Sequence, residues 1–220
     1  VEVWGRVAAV SAPGSTGQSR AWLKAAQLEE GLGRWNEASK FYRNCAQSTT
    51  PLKGLCGVGL ASLFEKAKQW DQVQATFRKM AEDSDPRISS LARLRLAEML
   101  ERQAELPKLE LPEKNLSIAL SERLRLLEQL TSAYELAAKK NGFWGVTALL
   151  RLARWTDGFA SEVDRLEPAP GSTKSAEFQF RQTTRGISAP LRKKSKDLRL
   201  RAYRFALDQE LLSPDLPEIV

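Results

Sequence analysis

One segment of this chain occurs twice, 35 residues apart. Residues 33–45 (GRWNEASKFYRNC), followed by Pro51, recur as residues 68–80 (KQWDQVQATFRKM), followed by Pro86. Five pairs keep one register: Trp35 and Trp70, Ala38 and Val73, Tyr42 and Phe77, Cys45 and Met80, Pro51 and Pro86. Within each copy the apolar positions are spaced by three and four, which puts them on one face of a helix. A period of this length is the mark of a helix-turn-helix repeat. Such a unit cannot bury its apolar face alone and stacks on its neighbours. Small residues such as Ala26, Ala38 and Ala61 let two helices approach, and Trp35, Tyr42, Trp70 and Phe77 are expected to fill the gaps around them.

The register resembles the tetratricopeptide repeat. Counted from Ser19, its large, small and two aromatic positions fall on Trp22, Ala26, Glu29 and Tyr42; counted from Gly54, they fall on Gly57, Ala61, Phe64 and Phe77. Glu29 and Gly57 depart from the pattern. The resemblance implies an all-α, right-handed superhelical solenoid of about three to four antiparallel hairpins, the last ones irregular with long loops.

Five regions follow from this reading. Residues 1–17 form an N-terminal arm or, equally, a truncated preceding helix. Residues 18–105 hold repeats 1 and 2 and the first helix of a third, Arg87 to Glu105. Residues 106–166 begin with a loop interrupted by Pro107 and Pro112. A helix follows, starting after Asn115 or Ser117, with an apolar stripe at 120, 124, 127, 130, 134 and 137, capped at Asn141 and Gly142. The next helix runs from Phe143 to about Leu166. Residues 167–189 are a second loop, and residues 190–220 carry a basic helix from Pro190 to Leu212 and a proline-containing tail. The Trp144-Gly145 helix, the Pro168/Pro170 break and the helix with Tyr203, Ala206, Leu211 and Leu212 resemble the C-terminal part of envelope-associated tetratricopeptide proteins found with bacterial gliding-motility machinery. Those proteins are non-catalytic scaffolds, which implies the periplasm or cell envelope for this chain, with the cytoplasm as the alternative.

The chain contains no histidine. That removes Ser-His and Cys-His nucleophile pairs and His-containing zinc sites. No phosphate-cradling glycine loop is present either. Glu29, Glu30, Glu98 and Glu101 read as charges on solvated helix faces, so no enzyme activity and no cofactor or metal are expected. Cys45 and Cys56 lie across the turn at Pro51 and suit either a disulfide or two small buried thiols.

Function should therefore lie on a partner surface, the face made by the first helix of each repeat. In register these positions are Arg20, Leu23 and Gln27, then Leu55, Val58 and Ser62, then Leu91, Leu94 and Glu98. Their apolar middle fits an apolar or amphipathic segment of another protein as well as the chain's own arm or last helix. The carboxylate clamp of chaperone-adaptor tetratricopeptide domains would need Lys and Asn at Arg20, Leu23, Lys24 and Gln27, so that role is disfavoured. The net charge is +7, and nine basic residues stand against one acidic between Arg181 and Arg204. Arg192, Lys193, Lys194, Lys196, Arg199 and Arg201 make a basic surface whose alternatives are a solvated face, an acidic protein partner, or nucleic acid or an anionic surface. Aromatics for base stacking are missing from it, which disfavours nucleic acid. No apolar run reaches the roughly 20 residues of a membrane span. Beginning at Val1 with no secretory segment or lipidation cysteine, the sequence reads as a processed or trimmed chain.

Overall fold

The computed structural model describes residues 1–110, 113–139 and 142–209, apart from the side chains of residues 113–114. Among these residues the chain is all-helical: α1 Glu2–Val10, α2 Thr16–Gly31, α3 Trp35–Ala46, α4 Lys53–Lys66, α5 Trp70–Ala81, α6 Pro86–Gln103, α7 Glu113–Ala138, α8 Gly142–Asp164 and α9 Lys174–Asp208. The expected cap at Asn141, the end of the last helix at Leu212 and the tail beyond it lie outside the described residues. The chain divides into two compact units, residues 1–92 and 93–220, with the boundary inside α6.

In the first unit α1 packs on α2, α2 on α3, α3 on α4 and α4 on α5. The region read as an arm or a preceding helix is a helix, with Ala8 buried. Gln18 ties its linker to α2, donating to the Ala8 carbonyl (3.1 Å) and accepting from the Gly14 N–H (2.9 Å). Ser15 caps α2 by accepting from the Gln18 N–H (3.1 Å). The sequence repeat is also a conformational repeat. Gly33 and Lys68 both take positive φ (72° and 56°). Gly33 N–H donates to the Glu30 carbonyl and Arg34 N–H to that of Glu29, and Lys68 to Glu65 and Gln69 to Phe64 repeat both bonds. These turns close α2 and α4 in the same left-handed manner.

Ala38, Tyr42 and Cys45 of α3, and Val73, Phe77 and Met80 of α5, are buried as their register requires. Trp35 and Trp70 are not gap fillers. They open α3 and α5 and remain 49% and 44% exposed, because the first residue of a helix lies at its rim. Cys45 and Cys56 form a disulfide with a Cα–Cα distance of 5.7 Å, fixing the end of α3 to α4. Pro86 is the first residue of α6, and Asp85 caps it by accepting from the Arg87 N–H (2.8 Å). Pro51 instead lies two residues before α4.

In the second unit α8 packs on both α7 and α9. It is apolar on several faces, burying Val146, Leu149, Leu152, Phe159 and Val163 among others, as a helix between two neighbours must. α7 starts earlier than the sequence suggested because Leu116 and Ala119 extend its buried stripe toward the N-terminus. That stripe runs through Arg123 rather than Leu124, which is 40% exposed.

The largest departure concerns the second loop. Only residues 165–173 are non-helical, and α9 runs unbroken for 35 residues with Pro190 inside it. Thr173 starts the helix by accepting from the Ala176 N–H (3.3 Å). Pro190 is exposed and removes one helical hydrogen bond. Burial of Leu191, Leu198, Ala202 and Ala206 outweighs that loss.

Candidate functional site

On α2, the positions Arg20, Leu23 and Gln27 lie opposite the buried Ala21, Ala25 and Glu29, at the 100° per residue of an α-helix. Arg20 and Gln27 are exposed and Leu23 is half-buried. On α4, Leu55, Val58 and Ser62 lie opposite Cys56, Gly57 and Leu60. Leu55 is 60% exposed, and Val58 and Ser62 are half-buried. α2 and α4 are joined at their C-terminal ends. The Lys66 ammonium lies 2.7 Å from a Glu30 carboxylate oxygen whose partner oxygen accepts from the Tyr42 hydroxyl (2.8 Å). Lys66 also stands over the Trp35 ring, 5.4 Å from its centroid. Burial alone would raise the Glu30 carboxyl, but these two hydrogen bonds and the Lys66 charge hold it below the ordinary carboxylate range. Burial and the Glu30 carboxylate push the Tyr42 phenol up.

The third helix does not supply the expected surface. Leu91 is half-buried, but Leu94 is 1% exposed, in the core of the second unit with Leu127, Leu130 and Leu152. Glu98 is 4% exposed and ion-paired to Arg95 (2.7 Å) and Arg151 (3.0 Å). α6 carries apolar residues on nearly every side, so packing encloses it. Leu94 and Glu98 are therefore structural. Within the first unit the candidate surface is Arg20, Leu23, Gln27, Leu55, Val58, Ser62 and Leu91.

Buried charge is the feature that sequence reasoning missed. Glu29 and Glu98 are enclosed, not solvated, and Glu101 accepts from Tyr134, whose phenol is pushed up by burial and by that carboxylate. Arg123, buried in α7, pairs with Glu162, donates to the Pro107 carbonyl (3.0 Å) and lies 5.9 Å from the Phe159 ring centroid. It thereby pins the proline loop. An arginine at a core position of the stripe was the one available signal. Glu29 keeps one carboxylate oxygen without a hydrogen bond, with Arg34 3.7 Å away.

No family model, curated protein or solved structure matches this chain. Among the described residues no His, Cys, Asp or Glu group is arranged to hold a metal ion, and no helix is long and apolar enough to cross a membrane.

The basic surface of α9 is largely engaged within the second unit. Arg192 binds Asp164 through two nitrogens (2.9 and 2.5 Å), and Arg199 reaches Asp157 (3.3 Å). Arg201 reaches Glu135 (3.0 Å), and Lys194 donates to Thr131 (2.9 Å). Lys193 and Lys196 are exposed. Hydrogen bonds from Ser188 and Arg192, together with nearby positive charge, hold the Asp164 carboxyl below its ordinary value despite some burial. Four of the nine basic residues that the sequence concentrates here, Arg192, Lys194, Arg199 and Arg201, thus tie α9 to α7 and α8.

Proposed function

We propose that this protein is a non-catalytic scaffold that binds an apolar or amphipathic segment of another protein on the first-helix face of a tetratricopeptide-like, right-handed solenoid. The observation that carries the reading is the exposure of Leu55 beside half-buried Val58, on the side of α4 turned away from its core. The paired turns at Gly33 and Lys68 support the repeat, since the two hairpins share backbone conformation as well as register. The carboxylates that could serve acid-base chemistry are engaged in ion pairs or core contacts, and there is no histidine to accompany them. The Cys45–Cys56 disulfide fits an oxidising compartment, in line with a periplasmic or envelope location and an assembly of the gliding-motility kind.

The test is a pull-down from envelope and cytosolic extracts with the wild type and with Leu55→Glu/Val58→Glu, after circular dichroism has established that the variant folds. Loss of one defined protein supports the face. Retained binding that disappears on converting Lys193 and Lys196 to Gln, or on adding nuclease, transfers function to α9.

A further inference from the structure

A second site lies on the opposite side of α4 from Leu55. Leu60 and Phe64 of α4, with Met80 of α5, line a hollow of about 370 Å³ that opens between α3 and α5. Two small residues make room for it. Gly57 contributes no side chain, and a Cβ there would lie 2.6 Å from the Met80 sulfur, while Ala75 contributes only a methyl on the α5 wall. The rim is cationic. Lys53 is paired with Asp83 (2.9 Å), whereas Arg43 on α3 and Lys79 on α5 are exposed and have no ion-pair partner among the described residues. The lining therefore holds three cations and one anion, leaving two positive charges over an apolar floor.

We propose that this hollow binds a small anionic amphiphile, a carboxylate with an apolar chain. The chain would lie on Leu60, Phe64 and Met80, and the carboxylate between Arg43 and Lys79. Volume and charge select this occupant. At the ~30 Å³ that a water molecule occupies in the liquid, the hollow accommodates about a dozen heavy atoms, the size of a medium-chain carboxylate. The unpaired guanidinium and ammonium favour an anionic head over a neutral or cationic one.

The chain contains two methionines, one in this hollow and one, Met99, in the second unit. Methyl-labelled methionine therefore gives two NMR signals, a reporter and an internal control. Decanoate, which has 12 heavy atoms, is the probe. The Met80 methyl is expected to shift saturably while Met99 stays fixed, and decyltrimethylammonium is expected to bind more weakly. Ala75→Trp, at an exposed position, should abolish the shift while the circular dichroism spectrum is unchanged. Arg43→Gln/Lys79→Gln should weaken decanoate by at least about threefold, the scale of two exposed charge contacts. The proposal is overturned if decanoate moves neither methyl or both alike, if the ammonium binds as well, or if Ala75→Trp changes nothing. It is also overturned if a glutamate-leucine tetrapeptide displaces decanoate at lower concentration, which would assign the hollow to a protein partner.

Discussion

Lys68 holds the left-handed backbone conformation, φ 56°, that Gly33 takes at 72° in the preceding copy, and the same two hydrogen bonds close both turns. A residue with a Cβ gives up roughly 1 kcal/mol or more in this conformation, while glycine loses more chain entropy on folding. Lys68→Gly should therefore stabilise the protein by about 0.5–1 kcal/mol, and Gly33→Ala should destabilise it by about 1 kcal/mol. Urea midpoints at unchanged m-value measure both. A drop in the Lys68→Gly midpoint would mean that the lysine side chain contributes more than its backbone conformation costs.

Two glycines of α8 should respond oppositely to alanine. A Cβ at Gly145 would lie 2.4 Å from the Phe205 ring and 3.0 Å from the Ala138 carbonyl oxygen, whereas one at Gly158 meets nothing within 4 Å. Gly158→Ala should add about 0.5–1 kcal/mol through helix propensity. Gly145→Ala should cost about 1–3 kcal/mol by forcing α8 from its neighbours. Thermal melts of the two variants test the approach of α9 to α8, and equal gains would contradict it.

Reduction should weaken the first unit. The Cys45–Cys56 bond closes a loop with a sequence separation of 11. Chain entropy for such a loop predicts a loss of about 3 kcal/mol on removal. Denaturation of Cys45→Ser/Cys56→Ser against wild type measures this. In native and in denatured wild-type protein, a thiol reagent should find no free thiol, and two reactive thiols after unfolding without reductant would refute the bond.

Acid should loosen α9. Asp164 is held below its ordinary value by Ser188 and Arg192, so the folded state binds its proton less readily than the unfolded chain. Its contribution is complete above the unfolded carboxylate value near pH 4 and is lost as pH falls through the lower folded value. The melting temperature of wild type should exceed that of Asp164→Asn at pH 7, and the gap should close on acidification below about pH 4. A gap independent of pH would mean that the charge contributes nothing there.

How much of this structure was legible in the sequence varies by element. Period and register located α2 to α5 and the burial of Tyr42, Cys45, Phe77 and Met80, because which face a helix buries follows from spacing along its own few turns. Arg20, Gln27 and Leu55 were likewise found as surface positions from register alone. Leu94 and Glu98 were misplaced because register describes one helix at a time and cannot say that later helices will enclose α6. The disulfide stayed open because spacing permits a bond without requiring it.

The 35-residue repeat and the helices α2 to α5 with their turns were written into the chain locally, since propensity, capping and apolar spacing act within a few residues. Which charges are enclosed and how far α9 extends depends on packing between remote segments. Arg123 is matched by Glu162 and Glu98 by Arg151, partners distant in the chain. Pro190 stays helical because packing against α8 outweighs one lost hydrogen bond. A buried charge or an interior proline is tolerated only when its surroundings compensate, and folding brings those surroundings from remote segments.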